Sequence, residues 1–275
     1  MYYRHNLQYN YPEKPDQHMI TVNPKRKVVL DQNYPYYNKS FVFKLGKGLF
    51  RVLLSLIIFP LMLVTHGLKI YGKKNLRRHK KILKEKGAIS ICNHTYMWDY
   101  LAVLKAIRPR SAFIPVWQDN IRGGFGLGMR WAGAIPIPTD SYNGMKAFKK
   151  DLEQVFNEKK WVHFFPEGSM WFFYPDVRPF KKAVFHYAVK YDRPIVPIAM
   201  TFRDRKGLLK LFGKTPMIDC HIGEPIWFDK SLPTNEAEID LHKRAYKIMQ
   251  EMCGVKEGDK TYNPDYNPKE YIKTM

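Results

Sequence analysis

Cysteine is nearly missing from this chain. Of 275 residues only Cys92, Cys220 and Cys253 carry thiols, with no paired spacing. That excludes a disulfide framework and a cysteine-rich zinc cluster, and it fits a reducing, cytosolic setting. Acidic residues are scarce beside basic ones: 25 Asp and Glu against 46 Lys and Arg leave a formal charge of +21. A chain so charged needs an anionic neighbour or substrate, whether nucleic acid, a lipid surface or a phosphate-bearing molecule. Gly-x-Ser-x-Gly does not occur, which removes the nucleophile elbow of the α/β-hydrolases. The glycines from Gly123 to Gly128 lack the Gly-Lys-Ser/Thr ending of a phosphate loop, so they serve helix packing or a rim beside a substrate channel. No recognition-helix pattern and no aromatic platform for single strands accompanies the basic residues, which argues against nucleic acid. His163, His186 and His221 lack metal-ligand spacing. No charged-then-apolar secretory pattern opens the chain.

An uninterrupted apolar run of the roughly 20 residues needed to span a membrane is also missing. Val52 to Val64 is apolar apart from Ser55 and is broken by Pro60. Lys44, Lys47 and Arg51 precede it, and Lys69, Lys73, Lys74, Arg77 and Arg78 follow it. Basic residues on both sides argue against crossing. The expectation for residues 41–72 is a helical hairpin, bent near Pro60, that enters one leaflet at the cytoplasmic face as a monotopic anchor; a buried pair of core helices is the other reading. Residues 1–40, rich in Tyr, Asn and Pro, read as an irregular arm whose role the sequence leaves open, and residues 254–275 as a polar tail. Lys206 to Lys214, with Leu208, Leu209, Leu211 and Phe212 among the lysines, form a basic apolar patch suited to a bilayer.

The chemistry-bearing stretch begins at Ala88. Ala88 to Cys92 has the pattern of a buried strand, and Tyr100, Leu101, Val103, Leu104 and Ile107 recur at the helical period until Pro109. His94 and Asp99 therefore fall where a strand becomes a helix. On one continuous helix they would stand roughly 140° apart, so they meet only if His94 lies in the turn and Asp99 in the first helical turn. Asp99 would then accept from one ring nitrogen and leave the other as a general base. Taken alone, the segment reads equally well as a capped helix with a turn histidine. Cys92 has the place of a core residue rather than a nucleophile.

About seventy residues later comes Phe165-Pro166-Glu167-Gly168-Ser169, after the strand pattern Trp161 to Phe165, and then Ile195-Val196-Pro197-Ile198. A carboxylate at a strand end beside a glycine suits binding of substrate hydroxyls or orientation of basic groups. With Asn93, His94 and Asp99, these blocks resemble in order and spacing the glycerolipid acyltransferase family, typified by lysophosphatidic acid acyltransferases, over roughly residues 70 to 225. The resemblance implies acyl transfer from a thioester to a lysolipid hydroxyl, with His94 and Asp99 catalytic and Asn93, Glu167, Gly168 and Ser169 at the substrate. Two departures stand out: Ile135-Pro136-Ile137-Pro138 lacks the family's second-block arginine, and Ser169-Met170 replaces Thr-Arg after the third-block glycine. Arg178, Lys181 and Lys182, ahead of a helix from Ala183 to Lys190, are substitutes for the missing cations, or else a solvated basic turn.

The resulting expectation is a single α/β domain (73–253), a mixed central sheet flanked by helices, carried on the hairpin. No metal or organic cofactor is called for; acyl-CoA or acyl-carrier protein would be the co-substrate. The expected partners are an anionic membrane surface, the thioester donor and a lysolipid acceptor, most naturally 1-acylglycerol 3-phosphate. The alternatives are the same chemistry on another lysolipid or a phosphate-free acceptor, and an idle membrane-binding protein.

Overall fold

A computed structural model describes residues 11–20 and 22–255. In chain order the elements are α1 (Phe41–Leu53), a π-helical turn (Leu54–Ile58), α2 (Phe59–Thr65), β1 (Lys69–Tyr71), α3 (Lys73–Arg78), α4 (Lys80–Lys86), β2 (Ile89–Cys92), α5 (Asp99–Ala106), β3 (Ala112–Trp117), α6 (Gln118–Arg122), α7 (Gly126–Ala132), β4 (Ala134–Ile137), α8 (Tyr142–Asn157), β5 (Trp161–Phe164), α9 (Ala183–Lys190), β6 (Ile195–Arg203), a 3-10 turn (Gly207–Phe212), β7 (Met217–Ile222) and α10 (Thr234–Cys253). The seven strands form one mixed sheet in the order β1-β7-β6-β2-β5-β3-β4. Every pairing is parallel except β6 with β7.

β2 sits between β6 and β5 and is buried on both faces, as its continuously apolar pattern requires. Ile89 and Ile91 join the core beneath α8, α9 and α10, while Cys92 joins the core under α5 and the N-terminal helix. The Cys92 thiol is fully buried, and burial pushes it well above the ordinary thiol range, so it packs as a core residue. The glycine cluster does serve helix packing: a Cβ on Gly126 would meet the carbonyl of Ile121 at 1.9 Å where α6 turns into α7. The N-terminal arm lies on the domain, with Leu30 and Tyr36 buried against α8.

The expected hairpin is instead one continuous helix, 25 residues from Phe41 to Thr65. Pro60 does not reverse the chain because it falls at the second position of α2, directly after the π turn, where the Phe59 N–H bonds to Leu54 O five residues back. The helix is about 37 Å long at roughly 1.5 Å per residue. Its best 18-residue window has mean hydropathy 2.2 and is only 22% buried, so the helix is long and apolar enough to cross a membrane. Counting the apolar run from Val52 missed the apolar residues of α1, among them exposed Phe41, Val42, Leu45 and Leu49. The sheet also starts earlier than the expected boundary at residue 73, since β1 pairs with β7. The expected tail lies outside the described residues beyond Val255.

One buried titratable group sits in the middle of the sheet. His163 on β5 faces Ser90 on β2, Nδ1 to Oγ at 3.0 Å. Burial first, and then the charge of His94, push its pKa down to about 3. The folded chain keeps it neutral while the unfolded chain protonates it near its ordinary value of 6.5. Stability from this site is therefore complete above about pH 6.5 and lost as the pH falls toward 3. Melting temperature measured across that window should fall with acid, and His163→Gln should flatten the fall while lowering the melting point at neutral pH.

Candidate active site

The carboxyl ends of β2 and β5 are neighbours in the sheet, and both lead into the turns that carry the candidate residues. After Cys92, Asn93 turns inward: its Nδ2 donates to Met200 O at 2.9 Å and its Oδ1 accepts from Met200 N at 2.8 Å. This side-chain amide clamps the end of β2 to β6. Buried, with both ends of its amide bonded to Met200, Asn93 acts as a structural clamp rather than the expected substrate contact.

His94 lies in the turn and Asp99 opens α5, the arrangement that lets residues five apart meet. Asp99 is completely buried, and its Oδ2 accepts from the backbone N–H of Thr95 at 2.6 Å and of Tyr96 at 2.8 Å. The same oxygen faces His94 Nδ1 at 3.4 Å, a long contact of the kind that tightens when substrate is bound. The backbone donors fix the carboxylate, and the carboxylate in turn orients the ring. The imidazole stacks on Phe165, centroids 3.8 Å apart and planes 11° from parallel. Its side chain is 24% exposed, and with Nδ1 turned to Asp99, Nε2 is the nitrogen without a hydrogen-bond partner among the described residues. Held in this way, His94 is able to take a proton from a hydroxyl at Nε2.

Glu167 and Arg178 form a buried ion pair, Oε2 to Nη2 at 2.6 Å, with both side chains fully shielded. Glu167 Oε2 also accepts the His94 N–H at 3.0 Å, and its Oε1 accepts the Arg178 N–H at 2.9 Å. Arg178 Nη2 donates to His94 O at 3.2 Å, and Nη1 to Ser169 Oγ at 2.6 Å and Pro15 O at 2.9 Å. The His94 residue is thus gripped at both its N–H and its carbonyl. Trp171 lies under the guanidinium at 4.5 Å and adds its own N–H to His94 O at 3.0 Å. The expectation that Glu167, Ser169 and Arg178 face the acceptor is corrected by this burial: their polar atoms are spent on one another, on the turn and on the arm.

Gly168 has φ of +80°, a conformation that strains any other residue, and a Cβ there would stand 2.6 Å from Lys181 Cε, which the flexible lysine would have to move aside. Lys181 is a third exposed at the rim and faces Asp16 at 3.8 Å. Lys182 is the residue ahead of α9, where its carbonyl accepts from the N–H of Phe185 and His186. The other histidines named from sequence take structural partners: His186 pairs with Glu238, and His221 bonds Thr201 and stacks on Tyr71.

Four contributors were not found from sequence. Phe165 was legible as the end of a strand pattern but not as the platform for His94. Pro15, Asp16 and His18 come from the arm, whose composition carries no signal of where it lies. His18 stacks on Trp117 at 5.0 Å, and burial, followed by the charge of His94, lowers its pKa below the ordinary histidine value.

Removing one partner of the ion pair strands a buried charge, so Arg178→Ala or Glu167→Ala should cost about 3–5 kcal/mol. The double variant Glu167→Leu/Arg178→Met should cost less than the sum of the two, which chemical denaturation of all three proteins measures.

Residues 67–201, from just ahead of β1 into β6, match the family model described as Acyltransferase. No curated protein matches the chain. Among solved structures seven chains match. One is the crystal structure of the 1-acyl-sn-glycerophosphate (LPA) acyltransferase PlsC from Thermotoga maritima, at 17% identity and a TM-score of 0.47, covering 77% of this chain and 80% of that one. The family match takes in β2, α5 and β5 with His94, Asp99, Glu167 and Arg178, so residues 67–201 match an acyltransferase domain, the family that the order of the sequence blocks implied.

Proposed function

We propose that the protein moves a fatty acyl group from a thioester, acyl-CoA or acyl-carrier protein, to the hydroxyl of a lysophospholipid, 1-acylglycerol 3-phosphate before others. The observation that carries this reading is His94: its Nδ1 faces a buried, doubly bonded carboxylate and its Nε2 has no hydrogen-bond partner among the described residues. As the acceptor oxygen attacks the thioester carbonyl carbon, Nε2 removes the hydroxyl proton. Collapse of the tetrahedral adduct breaks the C–S bond, the imidazolium returns the proton to the sulfur, and an ester and a free thiol leave. Asp99 holds the Nδ1–H tautomer and stabilises the imidazolium while it lasts. Neither a metal nor an acylated enzyme is part of this route. Lys181, at the rim of the third-block turn, offers a cation to the acceptor's phosphate.

The N-terminal helix suits such a substrate. His66, which closes α2, faces Tyr96 OH at 3.2 Å and packs its ring near Trp98, both in the turn that holds His94. At its other end α1 packs on α7, so the helix runs along the flank of the domain with its outer face apolar. A helix applied lengthwise to the domain lies in the membrane interface rather than across the bilayer, because crossing would draw the domain into hydrocarbon. We assign it to the cytoplasmic face, where anionic lipid meets the +21 charge.

Transfer to an acceptor that lacks phosphate is the second reading. Burial of Arg178 and the absence of an arginine after β4 favour it.

His94→Ala should abolish product formation in a detergent assay with palmitoyl thioester and a lysolipid panel, followed by mass spectrometry, with melting and liposome binding nearly unchanged. Asp99→Asn should be severely impaired. Lys181→Ala should raise KM for 1-acylglycerol 3-phosphate several-fold and leave phosphate-free acceptors untouched; equal effects on both classes would favour the second reading.

A further inference from the structure

A second cationic site lies at the amino ends of the strands, opposite the carboxyl ends that carry His94. α5 starts beside the catalytic turn and runs about 12 Å away from it at 1.5 Å per residue. Arg108 and Arg110 follow its far end, and there a shallow groove of about 40 Å³, partly open to solvent, lies between the domain and α1. Lys47 and Arg51 of α1 line the facing side, with Leu54 and Phe59 among the apolar wall.

No acidic residue lines this groove. Among the described residues none of the four cations has a carboxylate within salt-bridge distance. Their contacts leave most donors free: Arg51 gives one N–H to Pro109 O at 3.1 Å, Arg108 rests over Phe59, Arg110 over Trp161, and Lys47 over Phe113. Four like charges converging on an apolar wall repel one another, and an oxyanion between them removes that repulsion and accepts forked guanidinium donors. The apolar wall continues onto the bare face of the helix at Val52, Leu53, Leu56 and Ile57.

We propose that this groove binds the phosphate of an anionic phospholipid, with the lipid's acyl chains lying along the exposed face of the N-terminal helix. It is a docking site remote from catalysis, and it would set which end of the helix sits deepest against the headgroups. The proposal rests on the reading of that helix as membrane-lying, and the two are separated by the choice of vesicle.

The full chain and the double variant Arg108→Gln/Arg110→Gln would be sedimented with phosphatidylcholine vesicles, with and without phosphatidylglycerol. Wild type should bind the anionic vesicles roughly tenfold tighter or more, and the variant should lose that preference. The variant should keep wild-type binding to neutral vesicles, its melting temperature and its acyltransferase rate in detergent. Lys149→Gln/Lys150→Gln, which removes the same charge from the exposed face of α8, should keep most of the preference. Equal losses in the two double variants would reduce the effect to net charge and overturn the site, as would a preference undiminished in the arginine variant. Failure of wild type to bind neutral vesicles would count against the helix reading instead. Titration with inorganic phosphate in detergent closes the test: sub-millimolar binding lost in the arginine variant would make a free phosphate compound, not a lipid, the occupant.

Discussion

The ion pair between Glu167 and Arg178 is the contact on which the catalytic turn depends. Two full charges at zero exposure cost several kcal/mol of solvation each, and they are tolerated only because nearly every lone pair and proton around them is engaged. The groups that engage them are the N–H and C=O of His94, the turn after β5 and the carbonyl of Pro15. A charge pair is here used as a bracket: it ties the ends of two adjacent strands together and presents one histidine at a set height. The arm contributes by keeping water off the guanidinium, which gives residues otherwise without regular structure a place in the site.

From that bracket outward the geometry is a chain of supports. Asn93 locks the end of β2 to β6, Asp99 closes the turn on two backbone donors, and Phe165 carries the ring. Asn93 and Asp99 are buried and Phe165 is partly buried, while the imidazole is partly open, so rigidity lies behind the ring and access lies in front of it. The long apolar helix ends in contact with the same turn through His66, Tyr96 and Trp98. The turn that carries His94 and the apolar helix are therefore parts of one packed unit, the arrangement that the proposed transfer to an amphipathic acceptor calls for.

Much of this was legible in the sequence. The apolar run ahead of Asn93 and the helical period after Asp99 placed His94 in a turn, and the helix expected from Ala183 to Lys190 is α9. Two errors have physical causes. Proline was read as a reversal at position 60, whereas a π turn absorbs it near the start of a helical segment. Glu167 was placed at the substrate by the family resemblance and Arg178 as a stand-in for a missing cation; of the two roles read for Glu167, orienting a basic group is the one seen, but no local pattern says that two charges eleven residues apart will find each other in the interior. The arm was illegible for a similar reason: Asp16 and His18 reach the site through tertiary packing alone.

The central claim is that His94 is held as a base with Nδ1 protonated toward Asp99 and Nε2 free. Nitrogen-15 NMR of the full chain with labelled histidine, above the imidazole's titration, reads this directly once His94 is assigned by substitution. The account predicts a protonated Nδ1 and an unprotonated Nε2, with Asp99→Asn shifting the balance toward the other tautomer. An Nε2-protonated ring in the unsubstituted chain would contradict it, because the nitrogen facing the acceptor would then have no lone pair with which to take a proton.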